Sequence, residues 1–146
     1  MALHISTDAT PAPAHPPTVA LTVQDVMTPQ PLTIGRGEPL STAREMMRTH
    51  RCRNLPVLEH GELVGVMTER DLYLLERLGG ANVDSAEAND AMITDAYAVP
   101  PDAPLSEVAR QMATERYGCA VVIERGRVIG IFTTTDALRV LAGSAI

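Results

Sequence analysis

Apolar residues recur at helical spacing in two segments of the chain. In the first segment Leu40, Ala43 and Met47 occupy positions i, i+3 and i+7, which lie on one face of a helix. The second segment has the same stripe, formed by Leu105, Val108 and Met112. Each stripe predicts an amphipathic helix that packs on a sheet. We expect Asp102 to be the N-cap of the second helix.

Apolar runs of strand length occur in two pairs, and a glycine lies in the turn within each pair. Gly61 and Gly126 suit hairpin turns, because glycine accepts the positive φ that such turns need. Leucines at helical spacing follow both hairpins. Each half of the chain is therefore predicted to form a strand, a helix, a hairpin and a second helix. The runs are residues 54–58 with 63–66 and residues 120–123 with 128–132.

The two halves of the chain are copies of one unit. The stretch from Gly65 to Asp71 matches the stretch from Gly130 to Asp136 in its glycine, threonine and aspartate, at an offset of 65 residues (136 − 71). Other positions align at the same offset without a gap. Two copies are too few for a solenoid, which needs about three or more stacked units. We expect an α/β fold in which two repeats pack with pseudo-two-fold symmetry.

Composition divides the chain into a tail and two repeats. Residues 1–20 are rich in proline and alanine, and we expect a flexible tail, because such a segment buries too little apolar surface to offset its ordering entropy. Residues 21–79 are predicted to form the first repeat and residues 80–146 the second. Residues 79–88 link the two copies.

Charge and composition argue against several classes of partner. The net charge of −6 disfavours a nucleic acid, which normally binds to a basic surface. No apolar run reaches the roughly 20 residues needed to cross a bilayer, so we expect no membrane partner. Cys52 and Cys119 indicate a reducing, cytoplasmic compartment rather than a disulfide framework. The histidines are isolated, and no metal site is expected.

The repeated Thr-x-x-Asp motif has two interpretations. As a capping box, Thr68 with Asp71 and Thr133 with Asp136 would satisfy the first amide groups of two helices. As a ligand site, the preceding glycine would allow close backbone approach, and the helix N-terminus and threonine would bind phosphate. The aspartate would then bridge the two hydroxyls of a ribose.

Arginines near the motif also have two interpretations. Arg51 and Arg116, which are equivalent in the two copies, could bind phosphate through charge-assisted hydrogen bonds. They could instead be exposed residues that the dipole favours at a helix C-terminus. Arg70 could strengthen phosphate binding at the first motif, or it could be a solvated residue of the first helical turn.

Three kinds of stretch carry a family resemblance: Asp25-Val26-Met27-Thr28, Asn54-Leu55-Pro56-Val57, and the closing Gly-x-x-Thr-x-x-Asp of each copy. Because of these motifs, the chain from about residue 22 to 142 resembles a tandem pair of domains of the cystathionine beta-synthase (CBS) family, which is called a Bateman module. The resemblance implies a βαββα unit per copy and clefts that bind AMP, ADP, ATP or S-adenosylmethionine. It implies that Asp71 and Asp136 hold ribose and that Thr68 and Thr133 meet phosphate. Residues implied to flank adenine are Thr28, Asn54, Leu55, Ile93, Thr94, Cys119 and Ala120.

The two copies differ at positions that the resemblance singles out. The second copy has Ile93 where the first has Thr28, and Thr135 where the first has Arg70. We therefore expect two unequal clefts.

The resulting hypothesis is a regulatory module without catalysis and without a required cofactor. An adenosine ligand would bind between the repeats and shift the population of two arrangements, which a regulated partner protein would detect. A homodimer is also expected, because modules of this family commonly pair and segments 69–78 and 134–142 carry apolar residues. The alternative is a structural interaction module in which Thr-x-x-Asp only caps helices. An enzyme has the least support, because no catalytic triad spacing stands out.

Overall fold

The structure is a computed structural model that describes residues 21–79 and 84–143. The flexible tail expected over residues 1–20 lies outside these ranges, as does part of the linker expected over residues 79–88. Within the described ranges, no helix is long and apolar enough to cross a membrane.

Each repeat follows the expected order of strand, helix, hairpin and helix, and a helix of four residues precedes each repeat. This order confirms the predicted α/β fold class. The elements are α1 (Val23–Val26), β1 (Thr28–Pro29), β2 (Ile34–Gly35), α2 (Leu40–His50), β3 (Asn54–Glu59), β4 (Glu62–Thr68), α3 (Glu69–Leu78), α4 (Ala88–Ala91), β5 (Ala98–Val99), α5 (Leu105–Glu115), β6 (Cys119–Glu124), β7 (Arg127–Thr133) and α6 (Thr134–Leu141).

Two small sheets carry the repeats. One sheet has the strand order β2-β3-β4, and the other has the order β1-β7-β6-β5. The hairpins are antiparallel and share one register, in which Asn54 faces Thr68 and Cys119 faces Thr133. β2 and β5 pair in parallel with β3 and β6, with a helix forming each crossover connection. The pseudo-symmetry therefore extends to the pairing of individual strand residues.

The start of α5 differs from the prediction. Its N-cap residue is Pro104, which makes no side-chain cap, so the expectation that Asp102 caps this helix is wrong. The Leu105 amide instead donates to the carbonyl of Leu21 at 2.9 Å, and an equivalent bond closes the start of α2. Backbone contacts from the other repeat thus satisfy helical amide groups that a polar side chain would otherwise cap.

Two lead-in segments, residues 21–29 and 86–94, cross between the repeats. The first pairs with the second repeat, where Thr28 faces Ile131 of β7. The second pairs with the first repeat, where Ile93 and Val66 of β4 form a β-bridge with N-to-O distances of 2.9 and 3.0 Å. Each packed unit therefore contains a lead-in segment from the other half of the chain. The division of the sequence at residue 80 describes the repeats along the chain and remains a proposal.

The hydrophobic core of each repeat contains a residue of the lead-in segment that crosses from the other repeat. Val23 of α1 is completely buried in one cluster with Val108 and Phe132 of the second repeat. Ala88 of α4 is completely buried in the first repeat's cluster, which includes Leu40. Burial of a valine side chain stabilises a fold by about 1.5–3 kcal/mol, so the crossing contributes to stability. A third cluster joins the two sheets and contains Val66, Cys119, Val121 and Ile131.

Gly65 and Gly130 allow the lead-in segments to approach the central strands. A Cβ added at Gly65 would lie 2.7 Å from the carbonyl oxygen of Ile93, and one at Gly130 would overlap Sδ of Met27. Both glycines belong to the repeated motif. The close approach that the sequence suggested for a phosphate is made at Gly65 by the Ile93 backbone and at Gly130 by the Met27 side chain.

Candidate ligand-binding site

Both Thr-x-x-Asp motifs form capping boxes where a strand meets a helix. At the start of α3, the Asp71 amide donates to Oγ1 of Thr68 at 3.0 Å, and Oδ2 of Asp71 accepts from the Thr68 amide at 3.1 Å. At the start of α6, the corresponding distances between Thr133 and Asp136 are 3.2 and 2.9 Å. The threonine hydroxyl also donates to Oδ2 in both copies. Capping therefore describes the local structure of both motifs.

Capping leaves part of Asp71 available to a ligand. The capping bonds use Oδ2, and no hydrogen bond reaches Oδ1 of Asp71 from the described residues. The side chain is half-buried beside the N-terminus of α3, where backbone dipoles favour an anion. Capping and ligand binding are therefore compatible at this residue.

Asp136 has a different environment. The residue is only 6% exposed, and it is the one buried charged residue in the described ranges. Oγ1 of Thr28 lies 3.4 Å from each carboxylate oxygen, and a guanidinium nitrogen of Arg139 lies 3.5 Å from Oδ1. Because its lead-in segment crosses, Thr28 joins the second motif rather than the motif of its own repeat.

Ile93 is the residue equivalent to Thr28, and it lies beside the first motif. Its bridge to Val66 holds it close to the strand end that carries Thr68. The isoleucine is 52% exposed, and the neighbouring Thr94 is also exposed. An isoleucine side chain has no hydrogen-bond donor, so the two motifs face different chemistry.

The first residues of β3 and β6 are those expected to flank adenine. Leu55 and Ala120 are completely buried, backbone included. Asn54 is half-buried, and Cys119 is buried between the sheets. Burial raises the pKa of the Cys119 thiol to about 11, which keeps it neutral at physiological pH. The adenine contacts of these residues remain a prediction.

The expected phosphate-binding arginines are exposed. Arg51 and Arg116 end α2 and α5 with left-handed backbone conformations, at φ values of 52° and 59°. Arg70 is exposed in the first turn of α3. The Glu69 amide donates to the carbonyl of Arg53 at 2.8 Å, so the loop that follows Arg51 reaches the start of α3. A phosphate contact by these arginines also remains a prediction.

Arg139 was not predicted from the sequence as a site residue. This residue follows Asp136 by three positions on α6 and forms an ion pair with it. The i, i+3 spacing of opposite charges was the signal that could have identified it. Its equivalent in the first repeat is Leu74, which is exposed and carries no charge.

The model of the CBS domain family matches this chain twice, at residues 23–75 and 88–143. The chain belongs to the CBS domain family. The tandem CBS pair that the sequence resembles is therefore confirmed, and the repeats are called CBS repeats below.

Relatives of the CBS pair include small proteins of similar length. Hypoxic response protein 1 of Mycobacterium tuberculosis is 29% identical over 126 residues, which cover 86% of this chain and 88% of that protein. The solved structure of AcuB from Vibrio cholerae is 27% identical, with a TM-score of 0.78 over 86% of this chain and 93% of that chain. CBSX2, solved in complex with AMP, is 25% identical, with a TM-score of 0.73 over 84% of this chain and 96% of that chain.

A pocket lies away from the Thr-x-x-Asp motifs. Arg36, Glu59, His60 and Asn89 contribute to its lining, and the Arg36 guanidinium donates to Glu59 at 2.8 Å and to Asn89 at 2.6 Å. It lies at the tip of the β3-β4 hairpin, at the opposite end of β4 from Thr68. In residues 21–79 and 84–143, no group of three or more His, Cys, Asp or Glu side chains could hold a metal ion.

Proposed function

We propose that this CBS pair is a non-catalytic regulatory module that binds an adenosine ligand through Asp71 and Asp136. The observation that carries the proposal is the paired strand-to-helix junction, where a capped aspartate lies at a helix N-terminus in both repeats. The AMP complex of CBSX2 supports an adenine nucleotide as the ligand. AMP, ADP, ATP and S-adenosylmethionine are the candidates.

Three kinds of protein group would bind the ligand: a carboxylate, the amide and threonine groups at a helix N-terminus, and arginine side chains. A carboxylate can accept hydrogen bonds from both hydroxyls of a ribose, as Asp71 would through its available Oδ1. The amide groups and threonine hydroxyl at the helix start would bind phosphate, with Arg70 and Arg51 as added positive charges in the first repeat. Arg116 would have the role of Arg51 in the second repeat.

The crossing of the lead-in segments provides a physical basis for regulation. A ligand that contacts Asp136 would also contact the environment of Thr28, which belongs to the other CBS repeat along the chain. Ligand binding would thereby favour one arrangement of the repeats over another, as far as the affinities for the two arrangements differ. A regulated partner protein would respond to that shift.

A thermal-shift screen with AMP, ADP, ATP, NAD and S-adenosylmethionine tests this proposal. A ligand at 100 times its dissociation constant stabilises the folded state by about 2.7 kcal/mol, which raises Tm by several degrees. We expect one ligand to shift the wild type and to lose its effect in Asp71→Ala or Asp136→Ala. No shift with any of the five ligands would contradict the proposal.

Asp25→Ala provides a matched control for this screen. Asp25 caps α1 as the motif aspartates cap their helices, since its Oδ2 accepts from the Thr22 amide at 2.8 Å and from the Thr22 hydroxyl at 2.9 Å. It lies outside the two Thr-x-x-Asp motifs. The control should lose capping stability but keep the ligand shift, which separates the two roles of an aspartate.

We also propose that two CBS pairs form a homodimer in the cytoplasm. The helices α3 and α6 expose apolar side chains, with Leu78 and Leu141 each 83% exposed. The free Cys52 and Cys119 suit a reducing compartment. Sedimentation velocity should show a dimer, and a monomer at all concentrations would contradict this part. The exposed apolar residues are Tyr73, Leu74, Leu78, Leu138 and Leu141.

A further inference from the structure

The two motif aspartates are covered to different extents. The side chain of Asp136 is 8% exposed, and both of its carboxylate oxygens lie within reach of the Thr28 hydroxyl. Arg139 adds a positive charge 3.5 Å from Oδ1. In contrast, Asp71 is half-buried, and only its capping bonds occur among the described residues.

The side chains that cover Asp136 stand at two positions where the repeats differ. At the offset of 65 residues, Ile93 replaces Thr28 and Leu74 replaces Arg139. The backbone pairing that positions the two lead-in residues is shared, because Thr28 faces Ile131 and Ile93 bridges Val66. The two repeats therefore share one backbone pairing, but Asp136 is buried whereas Asp71 is half-buried.

We propose that Thr28 and Arg139 are specificity-determining residues that make the Asp136 cleft the weaker of the two adenosine sites. This inference rests on the proposed function. A ribose that binds Asp136 must replace the contacts of Thr28 and Arg139, whereas a ribose at Asp71 finds Oδ1 without a partner among the described residues. The Asp71 cleft accordingly fills first, and the Asp136 cleft fills at higher ligand concentration.

The contact itself can be tested without a ligand. A double-mutant cycle with Thr28→Val and Asp136→Ala measures the coupling of the two side chains by chemical denaturation. We expect the coupling to correspond to a change of about two- to ten-fold in the unfolding equilibrium constant, as for an ordinary hydrogen bond. The mirror cycle with Ile93→Val and Asp71→Ala should show none. Equal coupling in both cycles would overturn the inference.

The order of filling can be tested by calorimetry with AMP as the probe. Asp71→Ala should remove the tighter binding event, and Asp136→Ala should remove the weaker one. Thr28→Val should tighten the weaker event by about two- to ten-fold, because the ligand no longer displaces that hydroxyl. Thr28→Ser, which keeps the hydroxyl and loses only the methyl group, should bind AMP like the wild type, and this result would assign the gain in Thr28→Val to the lost hydroxyl.

The outcomes separate this inference from the proposed function. If AMP binds but Asp136→Ala removes the tighter event, or if Thr28→Val weakens binding, the inference is wrong and the function stands. If AMP and the other adenosine ligands produce no heat with any variant, the function and the filling order are both wrong.

Discussion

Replacement of Gly65 by alanine should destabilise the CBS pair more than the same replacement at Gly130. A Cβ at Gly65 would lie 2.7 Å from the carbonyl oxygen of Ile93 and 2.9 Å from Sδ of Met92. The same carbonyl accepts from the Val66 amide at 3.0 Å, and the Ile93 amide donates back at 2.9 Å. The lead-in backbone must therefore shift, which weakens two hydrogen bonds between the repeats.

The magnitude follows from these contacts. Two hydrogen bonds contribute about 1 kcal/mol each to the free energy of unfolding. Alanine offsets about 0.4–1 kcal/mol of their loss, because it lowers the conformational entropy of the unfolded chain. The free energy of unfolding should therefore fall by about 1–2 kcal/mol in Gly65→Ala. At Gly130 the crowded atoms are Sδ, Cγ and Cε of Met27, a flexible side chain that can change rotamer. We expect a loss below about 1 kcal/mol there, since adapting the side chain avoids much of the usual overpacking cost.

Urea denaturation followed by circular dichroism measures both losses. In a domain of this size the larger loss should lower Tm in a thermal melt by about 3–8 °C. Gly37→Ala is the control, because nothing lies within 4 Å of a Cβ at that position. Equal losses at Gly65 and Gly130, or a Gly65→Ala variant as stable as Gly37→Ala, would refute the argument that close backbone crossing holds the repeats together.

The capping aspartates, the buried thiol and the exposed helix faces give further expectations. Asp71→Ala and Asp136→Ala should each lower the free energy of unfolding by about 1 kcal/mol through lost caps, and unchanged denaturation curves would contradict that role. The folded-state pKa of Cys119, about 11, lies above its ordinary value of 9.0. Between these two pH values the unfolded state loses the thiol proton and the folded state keeps it. The free energy of unfolding should therefore be unaffected by this thiol below pH 9 and should fall as the pH rises to 11, by about 1.4 kcal/mol per pH unit at most. Cys119→Ala should flatten the dependence of unfolding free energy on pH in that window; an unaltered slope would be inconsistent with the buried thiol. A variant with both Leu78→Glu and Leu141→Glu should sediment as a monomer, and a persistent dimer would place the interface elsewhere.

The elements within each repeat could be predicted because the chain presents them twice. Leu40 and Leu105 begin equivalent apolar stripes, and the observed helices α2 and α5 both contain 11 residues. The hairpins followed from strand-length apolar runs around Gly61 and Gly126, both of which adopt positive φ. Local periodicity and turn chemistry were sufficient for these elements.

The crossing between repeats could not be predicted in the same way. A two-residue strand such as β1 carries no periodic pattern that specifies its partner strand. The contact between Thr28 and Asp136 joins positions 108 residues apart, so no local spacing indicates it. The prediction that Asp102 caps α5 failed for the same reason, because the amide group of that helix finds a backbone partner in the distant Leu21.

The candidate site was predictable in part. Sequence pattern identified the two Thr-x-x-Asp motifs, and the structure shows the capping bonds that this spacing allows. It did not indicate that Asp136 would be covered and Asp71 left half-buried, because the covering Thr28 comes from a distant segment. The roles of the motif residues toward a ligand remain predictions.

The central claim is that an adenosine ligand binds at the two Thr-x-x-Asp motifs. An NMR titration of the ¹⁵N-labelled protein with AMP tests it most directly, because it reports both binding and location. We predict chemical-shift changes concentrated at the amide groups of Asp71 and Asp136, with the Asp71 signals changing at lower AMP concentration. Signals that remain unchanged at both aspartates, or that change only around Arg36 and His60 at the far hairpin tip, would contradict the claim.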